Sequence, residues 1–206
     1  MADISYISNF LTKVEGPRQT QGYIPCYLKS GGSANYKGNV VPDNYTAMGA
    51  SGVTIATGCD LGQTTLDTLR RYGLKDETLL GILARYIGKK KDAALRTLYA
   101  YPLTITREQA EALDHAVHGG YLNTYVRPAY DAASKVKFDD LPVQAQAVVM
   151  SVCFQKGCGG VRRDWPKTWK YLTTQDWAKA SYELQHGFIQ YKGRRVVEGK
   201  LLAELL

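Results

Sequence analysis

Gly52-Val53-Thr54-Ile55-Ala56-Thr57-Gly58-Cys59-Asp60-Leu61-Gly62-Gln63 is the stretch at which the character of the chain changes. Leading into it, residues 22–62 are rich in Gly, Pro, Asn and Tyr and poor in helix formers. Gly31-Gly32 and Pro42-Asp43-Asn44 are turn signals between short strand-like runs, which predicts a small irregular β region. Within the stretch itself, alternation along Val53 to Asp60 reads as one extended strand with Thr54, Ala56, Gly58 and Asp60 on the same side. From Thr64 onward the sequence is helical almost to its end. Helices are predicted over Leu66–Tyr72, Glu77–Ile87, Asp92–Tyr99 and Thr106–His118, the last opened by a capping box of Thr106 and Gln109.

Upstream, Ile4, Ile7, Phe10, Leu11 and Val14 recur at helical spacing over residues 1–16 and place Glu15 at the helix end, beside the stop signal Gly16-Pro17. Downstream, Pro142 followed by Val143 to Phe154 reads as a helix with Pro in its first turn, apolar nearly all round, the mark of a buried central helix. Trp165, Trp169 and Trp177 punctuate shorter helices, and Arg194-Arg195-Val196-Val197-Glu198 opens a final one. The expectation is one α+β domain over residues 1–206, with a small β lobe at 22–62 and a larger helical lobe at 64–206.

The 206 residues are 45% hydrophobic, enough to bury a substantial core, and 26 Lys and Arg against 19 Asp and Glu leave a net charge of +7. That balance favours an anionic partner: nucleic acid, an anionic envelope polymer or acidic lipid. No nucleic-acid-binding motif accompanies the charge. Asp3 stands where a secretory signal would be basic and no apolar h-region follows, so the expected product is soluble and made in a cytoplasm. Cys26, Cys59, Cys153 and Cys158 lack CxxC spacing and read as reduced and structural, with Cys153 and Cys158 close enough in sequence to oxidise outside the cytoplasm. Asp114, His115 and His118 lack a third firm ligand, so neither metal nor cofactor is expected. Lys89-Lys90-Lys91 reads as a solvated turn.

Glu15, Asp60 and Thr54 together supply one acid, one carboxylate base and one hydroxyl. Cleaving an acetal with inversion needs that set: the leaving oxygen is protonated on one face while a deprotonated water attacks the other. Glu15, if desolvated, is raised in pKa and acts as the acid; Asp60, exposed in a Gly-flanked turn, stays ionised, and Thr54 holds the water. The blander reading is a solvated Glu15 at a helix end and an Asp60 that caps a helix starting near Gly62. The Trp side chains read as core, whereas Tyr27, Tyr36 and Tyr45 are candidates to stack on sugar faces.

The pattern Thr-Ile-x-x-Gly-x-Asp-Leu-Gly, after a helix ending in Glu-Gly, resembles the phage-type lysozymes and most closely their pesticin-like branch. Val126-Arg127-Pro128-Ala129-Tyr130-Asp131, Phe154-Gln155-x-Gly157, Trp177-x-x-Ala180 and Arg194-Arg195-x-x-Glu198 continue the likeness through the helical part, in family order. It implies a two-lobed lysozyme-like fold and an N-acetylmuramidase acting on bacterial peptidoglycan. The family's acid falls on Glu15, its threonine on Thr54 and the pesticin-like carboxylate on Asp60; other phage lysozymes carry the aspartate before the threonine, where Asp43 stands here. Gln155 is implied as a sugar-cleft residue, and Arg194 or Arg195 as a partner of Glu15. Ala56 replaces the family's usual Gly, and Cys59 lies where some members carry His. A lytic transglycosylase and a non-catalytic wall-binding protein are the rival readings. A phage endolysin waiting in the host cytoplasm, acting on the wall after membrane permeabilisation, and a delivered antibacterial toxin fit the setting equally. A monomer is expected, with some contact to anionic envelope lipid.

Overall fold

The computed structural model describes residues 2–206. Helix α1 (Ile4–Glu15) buries Ile7, Phe10 and Leu11 on the face their spacing predicts. It ends on Glu15 because Gly16 turns to a φ of 109° and Pro17 follows. The long strand β1 (Gln19–Leu28) organises the sheet, and β2 (Ser33–Tyr36) pairs antiparallel along Ile24 to Tyr27. The turn between them is Gly31-Gly32, at φ values of 94° and 81°. β3 (Tyr45–Ala47) pairs with the Cys26–Leu28 end of β1, and β4 (Thr54–Ala56) with its Gln19 and Tyr23 end. β5 (Cys59–Asp60) completes the sheet against β4.

The extended run expected over Val53 to Asp60 is therefore a tight hairpin. Ala56 and Gly58 take left-handed φ values of 53° and 80°, which reverse the chain within three residues. Thr54 and Asp60 do share a face, but as cross-strand partners rather than by alternation along one strand.

Helices α2 (Leu66–Arg71), α3 (Glu77–Ala84), α4 (Lys91–Ala100) and α5 (Arg107–Tyr121) follow. Thr65 and Asp76 cap the first two through their side chains. The capping box of α5 is formed in both directions: the Thr106 N–H donates to Gln109 Oε1 at 3.0 Å and the Gln109 N–H to Thr106 Oγ1 at 3.1 Å. A π-helical turn, Leu122–Val126, then leads into α6 (Arg127–Asp131). Pro128 lacks the N–H that a regular α-helical turn would use, which accounts for the irregularity.

α7 (Val143–Lys156) is buried continuously from Ala145 to Cys153, and Pro142 sits at its N-cap rather than inside its first turn. α8 (Cys158–Asp164), α9 (Pro166–Thr173), α10 (Trp177–His186) and α11 (Lys192–Ala203) complete the chain, α11 opening two residues before Arg194.

The chain divides into two compact units, one formed by the residues up to Val14 with His118–Leu206, the other by Glu15–Val117. Each has its own core. The Glu15–Val117 unit packs Ile24, Val53, Ile55 and Leu61 of the β segment against Leu69, Leu83, Leu98 and Leu113. In the other unit, Ile7 and Leu11 of α1 join Val148, Val149, Leu172 and Leu184. Each such buried aliphatic stabilises its unit by roughly 1.5–3 kcal/mol before entropy is subtracted.

Candidate active site

Thr54 and Asp60 are directly opposed residues of an antiparallel ladder, so both side chains leave the same face. Thr54 is 7% exposed. Asp60 is half-buried, and its carboxylate is fixed by main chain: Oδ1 accepts from the Gly62 N–H at 2.8 Å and from the Gly52 N–H at 3.1 Å. It thus caps the short 3-10 turn Leu61–Gln63, as the blander reading expected, while Oδ2 keeps only a longer 3.3 Å approach from Gly52. Capping and basicity coexist because one oxygen carries most of the structural load. Burial raises the Asp60 pKa above its ordinary 3.8, and the two N–H groups and the charge of Lys90 pull it back only in part.

The glycines around Asp60 are required by space. A Cβ on Gly52 would lie 2.5 Å from the Lys89 carbonyl oxygen and 2.6 Å from the Gly62 Cα; one on Gly62 would meet the same carbonyl at 2.6 Å. Three backbone segments converge there, and the Leu61 N–H donates to the Val53 carbonyl at 2.8 Å. The lysine run belongs to this neighbourhood, with Lys90 Nζ donating to Gln63 Oε1 at 3.0 Å.

A second carboxylate clamps the hairpin turn. Asp114 of α5 is 1% exposed and accepts from the Thr57 N–H at 2.8 Å, the Thr57 hydroxyl at 2.7 Å and Arg18 Nε at 2.7 Å. One buried anion thereby ties the turn between Thr54 and Asp60 to a segment three residues after Glu15. His118 engages Ser8 Oγ through Nδ1 at 2.9 Å, and among the described residues no three His, Cys, Asp or Glu side chains are grouped to hold a metal ion.

Glu15 ends α1 and is exposed, so the burial expected to tune it is absent: the helix stops there and Gly16 carries the chain away. Tyr23 is the neighbour the spacing did not identify. It pairs with Thr54 across β1 and β4, and the charges of Glu15 and Asp60 both act on its phenol. Burial is the larger cause of that phenol's raised pKa. Asp43, the alternative base, is exposed in the turn preceding β3, at the Leu28 end of β1. At about 3.3 Å per residue, the five residues from Tyr23 to Leu28 leave roughly 17 Å of strand between the end of β1 that pairs with Thr54 and the end beside which Asp43 lies.

In the other unit, Gln155 is half-buried and its Oε1 accepts from Arg195. Arg195 is fully buried, pairs with Glu198 Oε2 at 2.9 Å, and lies over the Trp165 ring at 5.0 Å. Arg194 meets Glu198 Oε1 at 3.1 Å and the Ser151 carbonyl at 2.8 Å. Of the tyrosines proposed to stack on sugar, Tyr36 is excluded: it is 1% exposed and donates to the Val40 carbonyl at 2.6 Å. Tyr45 packs on its ring, and Tyr27 alone of the three stands exposed. Trp169 is core and Trp165 and Trp177 pack against it.

A small antiparallel sheet, a mainly helical remainder and a carboxylate–hydroxyl pair on one hairpin define a protein of the lysozyme-like α+β class. The family model described as "Pesticin: Bacterial toxin homologue of phage lysozyme, C-term" matches residues 6–178, and the chain belongs to that family. No curated protein is a significant match to the chain. Kinship with phage lysozyme points to a glycoside hydrolase-type activity directed at peptidoglycan.

Proposed function

We propose that the protein is a muramidase that hydrolyses the β-1,4 bond between N-acetylmuramic acid and N-acetylglucosamine with inversion. Glu15 gives its proton to the glycosidic oxygen as the bond to the anomeric carbon breaks. Asp60 takes a proton from the attacking water, and the Thr54 hydroxyl holds that water against the sugar. The observation that carries this reading is the in-register pairing of Thr54 with Asp60, in the same unit as Glu15. The raised pKa of Asp60 suits a proton acceptor, and the remoteness of Asp43 favours Asp60 as the base. A transglycosylase, in which a sugar hydroxyl attacks internally and gives up its proton, would need no hydroxyl and carboxylate placed together to hold a water.

On this reading Gln155 lines a sugar subsite, the net charge of +7 draws the enzyme to anionic wall and envelope lipid, and the monomer works without metal or nucleic acid. As a phage endolysin it would await membrane permeabilisation in the host cytoplasm. The toxin named in the family's description supports delivery as an antibacterial protein instead.

Digestion of purified peptidoglycan by the wild type and by Glu15→Gln, with mass spectrometry of released muropeptides, tests the proposal. Reducing N-acetylmuramic acid ends made only by the wild type are expected. Anhydro ends would indicate a transglycosylase, and wall binding without release a non-catalytic binder.

A further inference from the structure

The strand register carries a third side chain into the Thr54–Asp60 pair. Tyr23 is the Cα partner of Thr54, which is the Cα partner of Asp60. Directly opposed residues of antiparallel strands project from one face, so Tyr23, Thr54 and Asp60 form a single row across β1, β4 and β5. With about 4.5–5.5 Å between neighbouring Cα atoms, the row spans about 10 Å, within reach of a phenol across one intervening residue. The placement is built in. Between Gln19 and Tyr23 the β1–β4 register slips, and there Gly22 donates to the Leu103 carbonyl at 2.9 Å; a Cβ on Gly22 would meet the Leu103 Cβ at 2.8 Å. Such an irregularity re-aims the side chains that follow it.

Tyr23 is half-buried, and both Glu15 and Asp60 act on its phenol. Burial, and after it either negative charge, disfavours a phenolate there, so the hydroxyl remains a proton donor.

We infer that Tyr23 is a positioning residue of this site, its hydroxyl donating a hydrogen bond to the water that Thr54 and Asp60 hold for attack. The inference rests on the hydrolytic reading above. It completes the coordination of that water. One proton points to Asp60 and leaves to it, and the second is accepted by Thr54 Oγ1. One lone pair accepts from Tyr23 and the other forms the new bond to the anomeric carbon. The electrons of the broken bond leave with the glycosidic oxygen, which takes the proton of Glu15.

Two replacements at position 23 test this on purified peptidoglycan, with reducing ends as readout. Tyr23→Phe keeps the ring and removes the donor. Its kcat should fall at least about tenfold, the scale of losing one well-placed donor, with KM within about twofold and thermal midpoint unchanged. Site-specific 3,5-difluorotyrosine keeps shape and hydroxyl but ionises at lower pH, so the alkaline limb of the rate profile should move down in pH. A merely structural tyrosine would not move that limb. Wild-type kcat in Tyr23→Phe, or an alkaline limb unmoved by fluorination, overturns the inference. If the wild type cleaves and Glu15→Gln does not while Tyr23→Phe matches the wild type, only the role of Tyr23 falls. If the wild type releases no reducing ends, the hydrolytic reading falls and takes this role with it.

Discussion

Asp114 accepts both the main-chain N–H and the hydroxyl of Thr57, at 2.8 and 2.7 Å, and so holds the turn that sets Thr54 opposite Asp60. Its third bond, from Arg18 at 2.7 Å, makes it the junction of three segments. Truncation by Asp114→Ala strands the half-buried Arg18 and two Thr57 donors. Unfolding free energy should fall by about 3–5 kcal/mol, the cost of breaking a buried pair from one side. Asp114→Asn, which retains one acceptor oxygen, should lose less. Urea denaturation followed by circular dichroism checks both.

Asp60 performs two tasks that one substitution separates. Asn offers an acceptor to the Gly62 N–H but no basic oxygen, so Asp60→Asn should fold with stability within about 1 kcal/mol of wild type and release no reducing muropeptides. Asp60→Ala should lose the cap as well. Intact cleavage by Asp60→Asn would remove the base role.

The raised pKa of Asp60 carries a definite sign. Its folded value exceeds its ordinary 3.8, so the folded state holds this proton more tightly. The stability this contributes is present below the unfolded value and fades as pH rises through the folded one. Asp60→Asn should flatten the pH dependence of stability in that window. Lys90 opposes the shift, so Lys90→Met should raise the Asp60 pKa further and move the acid limb of kcat/KM to higher pH, as a rate profile would record.

Gly52→Ala adds a methyl group 2.5 Å from the Lys89 carbonyl oxygen, where backbone rather than a flexible side chain must yield. The expected loss is about 2–3 kcal/mol, at the upper end for overpacking. Gly81→Ala, with open space at its Cβ, serves as the control in the same thermal melts.

The four cysteines should divide by reactivity. Burial pushes Cys59 up to about 12 and Cys26 up to about 11, while a hydrogen bond from Cys153 lowers half-buried Cys158 below its usual 9.0. Alkylation of the native protein should label Cys158 first and leave the other three until denaturant is added, as peptide mapping would show.

What the sequence revealed were the features whose physics is local. The periodicity of Ile7, Phe10 and Leu11, the Thr106–Gln109 box and the apolar run of α7 each fix an element from within a few residues. The hairpin at Ala56–Gly58 escaped because a left-handed alanine leaves no mark in an alternating pattern. Tyr23 and the clamping role of Asp114 escaped for another reason: one is placed by a register shift between strands, the other by a partner 57 residues away. The helix stop places Glu15 at the end of α1, yet its exposure depends on tertiary surroundings that spacing does not encode.

The unit that gathers its residues from before Val14 and after His118 has a consequence for how the chain comes together. Ser8 meets His118 across 110 positions and Asp3 meets Gln146 across 143, whereas the strands of the intervening unit pair within itself. Closing such long spans is entropically slow to begin. During synthesis, the Glu15–Val117 segment has its own sheet and core available while α1 still waits for α7 to leave the ribosome. Until α7 emerges, the apolar face of α1, with Ile7 and Leu11, has no partner from its own unit. Chaperones and proteases would find their opening in that helix.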